Sequence, residues 1–263
     1  MTPQYSPWTQ LHGARTVLTL PQTAASLSVD GPVRSSEKNR ILRALSDKQR
    51  AQVAPNLESV CLYAKQVLAA PEEPTRYVYF PRDAVLSLLV PMQDGTALEG
   101  AILGNEGVVG LQVFLGEGAP MEEIVVQVPG EAARMRANDF RIAVAGSCEL
   151  QMLLHRYSLA LMTQLARVSG CNRLHSVEKR AARWLLMCRD RTGRDTFPLT
   201  HECLASLLGV RRASVSVAAE ALQNAGVIGY QRGTITVLDV ERLEAASCED
   251  YLLCRASYDQ VHA

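Results

Sequence analysis

Two adjacent arginines, Arg211 and Arg212, are followed at once by the small side chains Ala213, Ser214 and Ser216. A helix so lightly clad can sit deep in a DNA major groove. Guanidinium forks at its N-terminal end then pair with base edges two hydrogen bonds at a time. A third arginine, Arg232, stands in Gly229–Tyr230–Gln231–Arg232–Gly233, ahead of the alternating run Thr234–Ile235–Thr236–Val237. Read as a hairpin tip, it is placed for backbone phosphate.

These side chains need a rigid frame, and the stretch from Leu199 to Leu238 predicts a winged helix-turn-helix. Thr200 can cap a first helix, with Glu202 near the positive end of its dipole, and Gly209 ends that helix in a left-handed residue. A second helix runs from about Arg212 to Asn224 and stops at Gly226. Ala205, Gly209, Val210, Val215 and Ala218 fall at the corner where the helices must touch, while Leu204, Leu207, Leu208 and Leu222 make the buried stripe. Val217 and Glu220 are left outside. A wing arriving directly afterwards is an independent constraint; the plain alternative is a helical bundle whose arginines are solvated surface.

The whole chain is neutral, with 27 Lys/Arg against 27 Asp/Glu, but the charge is unevenly placed. Residues 176–240 hold nine basic and six acidic side chains, residues 241–263 hold two and five, and residues 1–175 balance at sixteen each. That local excess fits a DNA-reading module on a neutral carrier. Seven scattered cysteines without a CxxC pair argue against a disulfide framework or a zinc site. No targeting segment opens the chain and no apolar run approaches a membrane span, so a reduced cytoplasm is expected.

Residues 1–36 show no sustained period and read as a flexible leader, with a binding arm around Trp8 and His12 as the alternative. A helical lead-in follows, with Ile41, Leu42, Leu45 and Val53 on one stripe and Ser46 as a cap. Short β-rich pieces then predict an antiparallel roll or jelly roll: Ser59–Leu62, Arg76–Phe80, Val85–Val90, Ala97–Leu103, Ile124–Val128 and Ala132–Arg136, separated by glycine and proline turns. Asn138 or Asp139 can open the next helix. From Ser147 a longer one carries Leu150, Leu154, Tyr157, Leu161, Leu165 and Val168 at spacings of three and four. Its length favours a dimer seam over packing against its own roll. Ser176 can cap a further helix that Gly193 ends. The fold class is therefore α+β: a sensor roll at 37–146, a dimerisation helix at 147–175, a winged helix-turn-helix at 176–240 and a tail at 241–263.

This order of elements resembles the Crp/Fnr family of bacterial transcription regulators over about residues 38–240. The most specific parts are YVYFP at 77–81, the GxxG of Gly107–Gly110, and LTHECLASLLGVRRASV. The resemblance implies a homodimer on a near-palindromic DNA site, an effector-sensing roll, and RNA polymerase as a partner. The family's phosphate-contacting threonine matches Thr200, and the basic residue after it matches His201. Of the base-reading arginine, glutamate and arginine of the cyclic-AMP receptor branch, only the first is kept, since Arg212, Ala213 and Val217 stand there.

The effector site departs further. Leu111 occupies the ribose-binding glutamate position, and Pro120–Met121–Glu122–Glu123 replaces the phosphate-binding Arg-Ser turn. Between Arg82 and Arg134 there is no lysine or arginine, whereas Asp83, Asp94, Glu99, Glu106, Glu117, Glu122, Glu123 and Glu131 lie there or close by; cyclic-nucleotide binding is not transferred. A first cysteine as late as Cys61 argues against an iron–sulfur cluster. Haem stays open through His155 or Cys61, although a packed or solvated side chain is the commoner fate of either. No cofactor is expected. The second functional reading is an effector-binding or protein-interaction module of the same fold. An enzyme is the third and weakest, since no phosphate-cradling loop, HExxH or GxSxG is present.

Overall fold

β-Branched runs broken by glycine and proline form an antiparallel roll in the computed structural model, which describes residues 38–116 and 119–262. The leader at 1–36, Glu117 and Gly118 lie outside the described residues. Two short helices enter the roll, α1 (Arg40–Ala44) and α2 (Asp47–Val53), capped by the side chains of Asn39 and Ser46. The roll's strands are β1 (Glu58–Leu62), β2 (Val67–Ala69), β3 (Tyr77–Pro81), β4 (Val85–Pro91), β5 (Ala97–Leu103), β6 (Glu123–Val128) and β7 (Gly130–Arg136), with α3 (Gln112–Leu115) between β5 and β6. They make two sheets, ordered β1-β7-β3 and β2-β6-β4-β5, every pairing antiparallel. Strand β2 was not expected; three residues are too few to show alternation.

Helix α4 (Ala137–Ala145) starts earlier than Asn138 or Asp139 would set it. Its N-cap is Arg136, which makes no side-chain cap. The Ala137 N–H donates instead to the Arg76 carbonyl at 2.9 Å, so the β3–β7 ladder runs directly into the helix.

The long helix α5 (Cys148–Leu174) starts where expected and is capped by Ser147, but its burial corrects the expected seam. Leu150, Leu154, Tyr157 and Val168 are buried within their own chain, Leu161 is half-buried, and only Leu165 of the six reaches the surface. Leu150, Leu154 and Tyr157 share a core with Leu42, Phe80 and Phe140, and Tyr157 Oη donates to the Val108 carbonyl at 3.1 Å. A Cβ on Gly107 would lie 1.9 Å from the Tyr157 ring, so glycine there lets helix and roll meet. A second stripe of α5 faces solvent: Met152, His155, Leu159, Met162, Ala166 and Ser169, again at spacings of three and four.

Helix α6 (Val177–Thr192) follows, then β8 (Thr196–Pro198), α7 (His201–Leu208), α8 (Arg212–Asn224), β9 (Ile228–Gln231) and β10 (Thr234–Val237), with the wing sheet ordered β8-β10-β9. The last two helices are α9 (Val240–Ala246) and α10 (Asp250–Asp259). Their segment is no loose tail. Leu243, Tyr251 and Cys254 enter the core of the helix-turn-helix, and Tyr258 and Val261 enter that of the roll. The core beneath α6 also takes in Val85, Ile102 and Val128 from the roll, so the two halves share buried surface. Among the described residues no helix is long and apolar enough to cross a membrane.

Candidate nucleic-acid interface

Local chemistry builds the reading frame. Thr200 accepts the Cys203 N–H through its hydroxyl at 3.1 Å and so caps α7. Gly209, at φ +62°, closes α7: the Gly209 N–H donates to Ser206 O and the Val210 N–H to Ala205 O, the paired bonds of a Schellman motif. Helix α8 ends the same way, with Gly226 at φ +69° and bonds from Gly226 and Val227 back to Gln223 and Leu222. Of the expected corner residues, Ala205, Val215 and Ala218 are buried, Val210 is half-buried and Gly209 exposed, while Leu222 is buried in the stripe. Gln231 pairs with Thr234, leaving Arg232 and Gly233, both at positive φ, as a two-residue turn that matches strand twist.

Helix α8 therefore turns one face outward. Arg211, Arg212, Ala213 and Val217 are exposed, and Ser214 and Ser216 half-buried. The Arg212 side chain is 70% exposed and, among the described residues, its one ion-pair contact is a 3.8 Å approach to the equally open Glu202. Arg232 is exposed at the wing tip and Thr200 at the entry of α7. Not all of the segment's basic side chains can touch DNA, because Arg180, Arg183 and Arg191 are buried.

His201 departs from its expected role. Its ring stacks on Tyr230 of the wing at 4.3 Å, Nδ1 lies 3.1 Å from Ser216 Oγ, and Nε2 is buried without a hydrogen-bond partner. Ser216 Oγ also donates to the Arg212 carbonyl at 3.2 Å. Burial first, then the Arg212 charge, pushes the His201 pKa below its usual value, so the ring is neutral near pH 7. His201 and Ser216 thus fasten the wing to α8. Tyr230 was missed because an aromatic in a short wing strand has no partner visible along the sequence.

Leu111 is buried in the core, and Glu106 lies in an ion pair with Arg191. His155 lies edge-on to Phe114 at 4.9 Å, while Cys61 is exposed on β1.

A family model described as a Crp-like helix-turn-helix domain matches residues 179–246. No curated protein matches the chain. Among solved structures, the chain is similar to FixK2 of Bradyrhizobium japonicum at 16% identity and TM-score 0.62, over 73% of this chain and 98% of that one. A CRP-family transcriptional regulator of Thermus thermophilus gives 18% and 0.58, over 72% and 96%. The c-di-GMP-responsive global regulator CLP of Xanthomonas campestris gives 14% and 0.57, over 73% and 99%. Residues 179–246 form a Crp-like helix-turn-helix domain, and the chain that carries it has the fold of the Crp/Fnr transcription regulators.

Proposed function

We propose that the chain is a sequence-specific transcription regulator that binds a near-palindromic DNA site as a homodimer. The observation that carries this reading is the open face of α8, with Arg212 at its first turn and Arg232 on the adjacent wing. The outward stripe of α5, where Met152, Leu159 and Met162 are each more than half exposed, supports pairing of two copies through that helix. A protein-interaction module would have no use for three exposed arginines on the groove-facing edge of a winged helix, and that alternative is not favoured. Cyclic AMP is not proposed as the effector, because buried Leu111 stands at the ribose position and Glu106 is already paired.

The two arginines have separable roles. Once a bound sequence is selected from random DNA, Arg212→Ala should cost about 1–3 kcal/mol and relax preference at one base pair in each half-site. Arg232→Ala should weaken binding to all sequences alike and flatten the salt dependence by about one unit per subunit. Equal loss of specific and random DNA binding in Arg212→Ala would reduce that residue to a phosphate clamp and remove the case for base reading.

A further inference from the structure

The seven cysteines show no metal spacing along the chain, yet the fold gathers four ligand-type side chains at one point. Cys171 lies in the last turn of α5 and His175 caps its end. Cys248 lies in the joint after α9, and Asp250 is the first residue of α10. Their ligand atoms all fall within 4.8 Å of one another. Cys171, Cys248 and Asp250 are buried, and the His175 side chain is 16% exposed. We propose that Cys171, His175, Cys248 and Asp250 form a zinc site that ties the end of the long helix to the α9–α10 joint.

Two of the distances come close to those of a metal site. A tetrahedral zinc with bonds of about 2.3 Å to sulfur separates its two sulfurs by about 3.8 Å, and bonds of about 2.0–2.1 Å to nitrogen and oxygen separate those atoms by about 3.3 Å. Here Cys171 Sγ and Cys248 Sγ are 3.5 Å apart, and His175 Nδ1 and Asp250 Oδ2 are 3.3 Å apart. His175 Nδ1 is buried with no hydrogen-bond partner, as expected of a nitrogen whose lone pair is meant for an ion. The surroundings complete the arrangement. His175 Nε2 faces Glu249 Oε2 at 3.5 Å, the outer carboxylate that fixes a ligating imidazole, and Arg167 Nη1 lies 3.7 Å from Asp250 Oδ1, leaving the other oxygen for the metal. Two thiolates, an imidazole and a carboxylate select zinc over magnesium or calcium, and four protein ligands make a closed, structural site. A disulfide would account for the cysteines but not for His175 or Asp250, and its sulfurs would have to close to about 2.0 Å.

The site sits where α5 gives way to α6, since His175 is followed at once by the Ser176 cap of that helix. An ion there would fix the direction in which the DNA-reading half leaves the long helix. The test is metal analysis of the full-length protein, purified under reducing conditions and dialysed against buffered zinc, with cobalt(II) as a spectroscopic substitute. About one zinc per chain is expected, with tetrahedral d–d bands and thiolate charge transfer in the cobalt form. His175→Ala, which keeps both thiolates and removes a partly exposed ring, should retain the helical circular dichroism and lose zinc affinity at least tenfold; Glu249→Gln should weaken it by about tenfold. The proposal is overturned if the wild-type chain binds no stoichiometric zinc, if a folded His175→Ala binds it unchanged, or if a second preparation isolated without reductant, its free thiols blocked at lysis, carries a Cys171–Cys248 disulfide in place of metal.

Discussion

At the scale of single residues, Glu99 is placed to make stability depend on pH. It lies on β5, nearly buried, with Ser87 Oγ donating to one carboxylate oxygen and Trp184 Nε1 of α6 donating at 2.9 Å. Burial pushes its pKa up, and the Ser87 and Trp184 hydrogen bonds oppose that only in part. A carboxyl whose folded pKa exceeds its unfolded value binds its proton more tightly when folded. Its stabilisation is therefore complete below the ordinary glutamate value and is lost as pH rises through the folded pKa. His201 works in the opposite sense: its pKa is lowered, so its contribution is present above the ordinary histidine value and fades as pH falls through the folded one. Glu99→Gln keeps the shape and removes the titration. Urea midpoints measured across pH should show wild type losing stability relative to the variant as pH climbs from the glutamate range, whereas parallel curves would mean that Glu99 ionises alike in both states.

At the scale of elements, α5 carries two apolar stripes and gives each a different task. The stripe with Leu150, Leu154 and Tyr157 is consumed by the chain's own core, leaving Met152, His155, Leu159 and Met162 for a partner. In a symmetric pair, glutamates introduced at positions 159 and 162 would face the same glutamates of the second copy. A Leu159→Glu/Met162→Glu variant should therefore sediment as a folded monomer, with dimer affinity reduced at least a hundredfold. An unchanged dimer would place the contact elsewhere. The helix and its start near Ser147 were legible in sequence because the period is local; which stripe faces inward was not, because that depends on glycine at 107 in the roll. The reading of α7, α8 and the wing held for the same local reason, since Thr200, Gly209 and Gly226 each act within a few residues. His201 escaped because its partner Tyr230 lies on another element, and so did the pairing of Cys171 with Cys248 across 77 positions. The 241–263 segment, unremarkable as sequence, became structural through contacts with α5 and α6.

At the scale of the whole molecule, roll, long helix, helix-turn-helix half and C-terminal segment converge on Arg191. The residue is 5% exposed, and its guanidinium donates to Glu106 Oε1 from Nε at 3.0 Å, to the Met187 and Ile102 carbonyls at 3.1 and 3.2 Å, and to Gln164 Oε1 at 3.3 Å. Gln164 of α5 in turn donates to the Ile102 carbonyl at 3.0 Å, and the Tyr258 ring lies 5.5 Å away. A Cβ on Gly104 would lie 2.6 Å from Arg191 Cγ, so the roll must offer bare backbone for the side chain to pass. Such an ion pair opposes a large desolvation cost and adds little net stability, but removing one partner strands the other. Glu106→Ala should therefore cost about 3–5 kcal/mol in denaturant unfolding, and Arg191→Met alone should cost less, since the carboxylate it frees can take up a proton. The double variant Glu106→Ala/Arg191→Met should recover much of the loss, because it leaves no unpaired charge. Because roll and helix-turn-helix share the core around Ile102 and Trp184, the loss should appear as one transition seen alike by tryptophan fluorescence and circular dichroism. Strictly additive costs in the double variant would show that Glu106 and Arg191 act separately and that their ion pair does not couple the two halves.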